Sequence, residues 1–161
     1  MKLFLGMKVP DQLLKDINTW REQNKGLNVR WLSENDMHLT ILPPWEERDP
    51  VRASALLVEL DPVPDFTISF DTISLGPDPR EPRLIWALGD APRDLIAYKD
   101  RAERVFGMPH RKDFKLHLTL ARMTDRRLRF EKQKVNWTDS PKSLVLFESM
   151  GGSTYRRISE I

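Results

Sequence analysis

The tripeptide His-Leu-Thr occurs twice in the chain, at His38-Leu39-Thr40 and again at His117-Leu118-Thr119. Each copy lies in an apolar run of strand-like composition. Side chains of a strand alternate between faces, so residues i and i+2 point the same way, about 7 Å apart. In the second copy Phe114, Leu116, Leu118 and Leu120 share one face, and Lys115, His117, Thr119 and Ala121 share the other. In the first copy Met37, Leu39 and Ile41 share a face and leave His38 and Thr40 on the opposite one. Each strand thus aims an imidazole and a hydroxyl in one direction, and packing alone gives no reason to repeat that polar pair.

Two such strands facing a common cleft would surround one small group with two imidazoles and two hydroxyls. That set suits a phosphodiester. With an unperturbed pKa of about 6.5, one neutral His takes a proton from an attacking water while the other, protonated, gives one to the leaving oxygen. The Thr hydroxyls donate to the non-bridging oxygens, where charge builds up as phosphorus becomes five-coordinate. Neither step calls for a metal or a cofactor, and none is expected. The third histidine, His110, has no Thr partner and sits in a loop-like Met108-Pro-His-Arg111, so it reads as a surface residue.

The composition narrows the alternatives. The chain has 161 residues, 26 Lys+Arg against 24 Asp+Glu, and no cysteine. Forty per cent hydrophobic and 31% charged residues describe a globular chain, and the length suits one domain, residues 1–161, built of two lobes that share a core. The missing cysteines exclude a disulfide scaffold, a thiol nucleophile, a zinc ribbon and an iron–sulfur cluster. A net charge of +2 announces no nucleic acid by itself. The apolar stretch Leu3 to Met7 is too short for a signal-peptide core or a membrane span. A cytoplasmic monomer with no membrane partner is the expectation.

The elements that must position the two motifs follow from periodicity and punctuation. Residues 2–8 read as a buried strand, and Pro10-Asp11 opens a helix with Leu13, Leu14, Ile17 and Trp20 on one side, ending near Gly26. A short strand at 29–32, a polar turn at 33–36 and the first motif strand at 37–42 come next, with Pro43-Pro44 expected to stop the last. Asp49-Pro50 caps a second helix to about Leu60. Extended segments at 65–75 and 83–88 precede a third helix from about Pro92 to Phe106, closed by Gly107. The second motif strand spans 114–122, a charged segment is left unassigned, and strands at 142–149 and after Gly151-Gly152 end the chain. This mixed order predicts an α+β fold.

With its paired motifs the sequence resembles the 2H phosphoesterases, and within them the RNA 2′,3′-cyclic phosphodiesterases, historically called 2′-5′ RNA ligases. The likeness runs through Lys2-Leu-Phe-Leu5, Val29-Arg-Trp-Leu32, Glu34-Asn-Asp-Met37, Pro82-Arg-Leu-Ile-Trp86, Phe114 to Arg122, and Leu146-Phe-Glu-Ser-Met-Gly-Gly152 followed by Tyr155. The resemblance implies two βα lobes related by a pseudo-twofold axis, with antiparallel sheets facing a central cleft. It implies metal-free opening of a terminal 2′,3′-cyclic phosphate to a 2′-phosphate, with RNA ends or nucleotides carrying that group as partners. By motif position, His38 and His117 carry over as the catalytic pair, and Thr40 and Thr119 as phosphate-binding hydroxyls. Arg122 matches the arginine that closes the family's second motif, and a guanidinium fork suits phosphate. Strict alternation would put Arg122 one position out of register, so a bend after Leu120 is needed.

Two departures from the family are visible. Ile41-Leu-Pro-Pro-Trp-Glu46 stands where the family carries Phe-Leu-Gly, and Leu116 stands where it often has Pro. The rim near Pro43–Trp45, and with it nucleotide choice, is therefore expected to differ. Trp45 reads either as a base-stacking surface or as local packing, and Phe4 as either core or cleft. Arg30 and Lys115 read as backbone-phosphate contacts or as solvated charge. Alternative functions on the same residues are a 2′,5′-phosphodiesterase or RNA ligase, a phosphodiesterase of small cyclic nucleotides, and a non-enzymatic RNA-binding module.

Overall fold

A computed structural model describes residues 1–161. The elements run β1 (Lys2–Lys8), α1 (Asp11–Gln23), β2 (Val29–Trp31), β3 (His38–Glu46), α2 (Pro50–Val58), β4 (Ile68–Gly76), β5 (Leu84–Gly89), α3 (Arg93–Phe106), β6 (Leu116–Met123), β7 (Gln133–Asp139), β8 (Leu144–Ser149) and β9 (Tyr155–Glu160). The strands form two antiparallel sheets, one ordered β3-β1-β8-β9 and the other β2-β6-β5-β4-β7. The fold is α+β, as the mixed element order predicts.

Local chemistry sets the helix ends. The Asp49 carboxylate accepts from the backbone N–H groups of Val51 and Arg52 at 3.1 and 3.0 Å, capping α2 with Pro50 in its first turn. Gly107, at φ 65°, closes α3 in the left-handed conformation. Leu13, Ile17 and Trp20 form the buried stripe of α1.

The lobes interleave, each contributing a helix that packs on the sheet of the other. Helix α1 follows β1 of the four-stranded sheet yet packs on β7 of the other. There the Leu13 N–H donates to Asp139 Oδ2 at 2.9 Å, and Trp20 Nε1 donates to Gln133 Oε1 at 2.8 Å. Helix α3 follows β5 of the five-stranded sheet and packs on β3 of the first. The exchange is reciprocal, as a pseudo-twofold arrangement requires. Thirty buried side chains drawn from both sheets and all three helices make one core.

Two segments differ from the sequence reading. Strand β3 runs through Pro43-Pro44 to Glu46. Proline is tolerated here because β3 is an edge strand and its register against β1 shifts between the Leu3 and Leu5 pairs, opposite the two prolines. The charged segment holds β7, whose inward positions Val135 and Trp137 carry all of its apolar signal. Two apolar residues in a polar run leave too little alternation to read.

Candidate active site

The two motif strands occupy corresponding places. β3 pairs with the central β1 of one sheet, β6 with β5 of the other, and the two strands approach each other across the cleft. Alternation holds through the motifs, with Leu39 and Leu118 buried in the core and His38, Thr40, His117 and Thr119 on the opposite faces, lining one cavity of about 140 Å³.

The alternation then breaks at the same point in both copies. Leu5 pairs with Leu42 but Gly6 with Thr40, so Ile41 is an extra residue. Ile85 pairs with Ala121 but Trp86 with Thr119, so Leu120 is an extra residue. These are β-bulges, and each puts two consecutive residues into the core, Ile41 with Leu42 and Leu120 with Ala121. The bulge in β6 is tied down by the Leu32 N–H, which donates to the Leu120 carbonyl at 3.0 Å. By shifting the phase one residue, it brings Arg122 onto the face of His117 and Thr119, where it lines the cavity. The bend that Arg122 required is this bulge. The position corresponding to Arg122 in the first copy is Pro43, so the two halves of the cleft are chemically unequal.

Both imidazoles are held alike. Nδ1 of His38 lies 2.8 Å from the Asp36 carbonyl, and Nδ1 of His117 lies 3.0 Å from the Lys115 carbonyl. A carbonyl only accepts, so Nδ1 carries the hydrogen in each ring and Nε2 is left as the titrating atom. Their surroundings differ. His38 packs against Phe4, Phe147 and Tyr155 with ring centroids 4.6, 5.4 and 4.8 Å away. Burial among these rings, with a smaller push from His117, lowers the His38 pKa to about 4. His117 leans on Trp86 at 5.2 Å, and its pKa is lowered first by burial, with Lys115 adding repulsion. Gly6 makes room on the first side, since a Cβ there would stand 3.2 Å from His38 Cδ2.

The β8–β9 turn completes the cavity. Gly151, Gly152 and Ser153 take φ values of 89°, 59° and 60°, an unusual conformation for the serine. Two arginines of the other sheet hold the turn: Arg122 Nε donates to Ser153 Oγ and Arg30 donates to the Gly152 carbonyl. Asp36 anchors the next residues, its Oδ1 accepting from the Tyr155 N–H at 3.1 Å and its Oδ2 from Ser33 Oγ at 2.6 Å. One residue thus fixes both the His38 tautomer and the start of β9.

The five residues singled out in the sequence, His38, Thr40, His117, Thr119 and Arg122, all line this cavity. Ser153, Tyr155 and the anchoring role of Asp36 were missed. The signal for Ser153 was the Gly-Gly pair before it, which marks a special turn without saying where the turn lands. Of the ambiguous residues, Phe4 lies buried beneath His38, and Trp45 packs locally, against Phe106 at 5.5 Å and Glu47 at 3.2 Å. His110 is exposed as expected but anchored, its Nδ1 2.9 Å from the buried Glu103 carboxylate. No carboxylate lines the cavity, and no helix is long and apolar enough to cross a membrane.

Residues 7–86 match the family model described as LigT-like phosphoesterase. An RNA 2′,3′-cyclic phosphodiesterase of Archaeoglobus fulgidus is 28% identical over 130 residues, covering 76% of this chain and 73% of that one. Among solved structures, TT0787 of Thermus thermophilus superposes with a TM-score of 0.72 at 18% identity, over 100% of this chain and 97% of that one. LigT of E. coli, crystallised with ATP, gives 0.71 at 21% identity, over 99% and 96%. Sequence match and shared fold agree: the chain is similar to the LigT-like phosphoesterases, by the family model over residues 7–86 and by its fold over the whole length.

Proposed function

We propose that the protein is a metal-independent RNA 2′,3′-cyclic phosphodiesterase that opens a terminal 2′,3′-cyclic phosphate to a 2′-phosphate. The observation that carries this reading is the pair of imidazoles with the same tautomer in one small cavity, alongside two threonine hydroxyls and a guanidinium. The similarity to the archaeal RNA 2′,3′-cyclic phosphodiesterase supports the substrate class. E. coli LigT, of the same fold, has been crystallised with 3′-AMP and with phosphate.

In this reading Thr40, Thr119 and Arg122 hold the non-bridging oxygens, and their donors gain strength as negative charge builds up there. Nε2 of one neutral His takes a proton from water as its oxygen bonds to phosphorus. The P–O3′ bond breaks, and Nε2 of the other, protonated His delivers a proton to O3′. The pair ends with its protons exchanged, and proton transfer through solvent resets it. Burial keeps both imidazoles neutral in the free protein, so the charged member of the pair forms when the phosphate arrives and its negative charge raises the pKa values. With no carboxylate in the cavity, the acid–base work falls to imidazole.

Incubation of an RNA ending in 2′,3′-cyclic phosphate, with chromatographic and ³¹P NMR analysis, tests the reading. A 2′-phosphate product formed in EDTA is expected. A 3′-phosphate product, or cleavage only of internal 2′,5′ linkages, would replace it with the neighbouring activity of the same site.

A further inference from the structure

Helix α2 is apolar on two opposite sides. Ala53 and Leu57 face inward and are buried in the core. Half a turn away, Val51, Ala55 and Val58 recur at i, i+4 and i+7 and form one outward stripe, all three exposed. Val51 and Val58 are 77% and 71% exposed, more than any other large apolar side chain of the protein. Arg52 is the one charged residue among the nine of the helix. A surface helix ordinarily turns a polar face to water; here a valine–alanine stripe takes that place.

The charges at the two ends of the stripe suit a partner rather than the helix itself. Arg52 lies in the first turn and Glu59 at the C-cap, the reverse of what the helix dipole favours. Both are exposed, and neither forms a salt bridge within its own chain. At about 100° per residue, the two flank the stripe on the same side. A twofold axis that sets two copies of α2 antiparallel, stripe against stripe, keeps that flank on one side of the pair. Centred on Ala55, it brings Val51 against the partner's Val58 and Arg52 beside the partner's Glu59, offset by about 1.5 Å along the helix, and does so twice. Parallel helices would leave the two charges on opposite sides. The small Ala55 at the centre lets the helices approach closely.

The stripe points away from the cleft. The buried side of α2 packs on β8 and β9 and joins the core that holds Leu3, Leu5 and Leu146. Phe4 and Phe147, which alternate with those leucines, lie on the other face of the sheet, against His38. We propose that the outer face of α2 docks a second copy of this chain, in an antiparallel twofold pairing held by Val51, Ala55 and Val58 and oriented by Arg52 and Glu59. A nine-residue helix covers only part of the roughly 800 Å² per partner of a standard interface. The dimer is therefore weak and forms at high protein concentration, in place of the monomer expected from the sequence. Both clefts stay open, and the pairing is independent of the reaction proposed for them.

Sedimentation equilibrium of the full chain, from about 10 μM to about 1 mM, tests the pairing over the range where so small an interface associates. The mean mass is expected to rise from monomer towards dimer. Arg52→Glu and Glu59→Arg should each weaken association about tenfold by setting like charges together, and the double exchange Arg52→Glu/Glu59→Arg should restore it. The chain has no cysteine, so Ala55→Cys carries a single thiol on the proposed axis. Mild oxidation should link it into a dimer much faster than Arg127→Cys, whose thiol is exposed in the β6–β7 loop of the other sheet. A wild-type chain that stays monomeric throughout would overturn the pairing, whatever the variants do, and leave the face to a different occupant. Self-association indifferent to the charge exchanges, or equal crosslinking of the two cysteine variants, would overturn it as well.

Discussion

Ile41 and Leu120 hold the same place in the two motif strands, each the extra residue of a β-bulge three positions after its histidine. The repeated bulge is a backbone signature of the pseudo-twofold, deeper than the shared tripeptide. Its consequence is unequal in the two copies, because the residue two places on is Pro43 in one and Arg122 in the other. In the proposed function the phosphate clamp is therefore one-sided.

Arg122→Lys keeps the charge but loses the planar fork, which bonds Ser153 and in the proposed function also reaches a phosphate oxygen. We expect kcat/KM on a cyclic-phosphate RNA end to drop about tenfold in Arg122→Lys and about a hundredfold in Arg122→Ala, the range of a charge-assisted hydrogen bond. Steady-state kinetics on both variants checks the order.

Ser153 combines a positive φ with a hydroxyl bonded to Arg122. Ser153→Gly removes the hydroxyl and relaxes the backbone, whereas Ser153→Ala removes it and keeps the strain. Thermal melts should rank Gly at or above Ala in stability, while both lose a similar fraction of kcat/KM. A marked activity gap between the two would show that turn geometry, not the hydroxyl, matters.

Gly6→Ala places a Cβ 3.2 Å from both His38 Cδ2 and the Leu39 carbonyl. Neither can retreat freely, the ring being backed by Phe4, Phe147 and Tyr155. A stability loss of about 1–3 kcal/mol is expected, as for an overpacked core, with turnover lowered beyond what the folded fraction explains. Urea titrations paired with activity assays separate the two effects.

The depressed His38 pKa links stability to pH. Above pH 6.5 the imidazole is neutral folded and unfolded, and its titration leaves stability unchanged. Between 6.5 and about 4 the unfolded chain binds the proton and the folded one resists it, so stability falls as the pH falls. By pH 4 the loss is on the order of 3 kcal/mol. His117, lowered by burial as well, acts in the same direction. Urea midpoints at pH 7 and pH 4.5 should converge in His38→Gln relative to wild type; an unchanged pH slope would mean that His38 is not desolvated.

Much of this was legible in the chain. The His-x-Thr pairs stood out because polar residues two apart in an apolar strand must share a face, and that rule needs no tertiary knowledge. Asp49-Pro50 and Gly107 marked helix ends through chemistry local to them. What was not legible depends on contacts between distant segments. The bulges at Ile41 and Leu120 arise from pairing with β1 and β5, and no local pattern announces them. The reciprocal packing of α1 and α3 on each other's sheets is likewise a long-range choice, which a division into halves of the sequence cannot reveal. Ser153 reaches the cavity only because β8 and β9 join the first sheet and their turn meets Arg30 and Arg122 of the second.

The proposed mechanism stands on two imidazoles sharing the proton transfers. Its sharpest test is turnover of an RNA 2′,3′-cyclic phosphate in EDTA by wild type, His38→Ala, His117→Ala and the double variant. Full wild-type activity in EDTA is expected, with a loss of about 10²–10⁴-fold in each single variant and a double variant little worse than either. A single variant retaining a tenth or more of the wild-type rate, or activity lost in EDTA and restored by a divalent ion, would be incompatible with paired-imidazole catalysis.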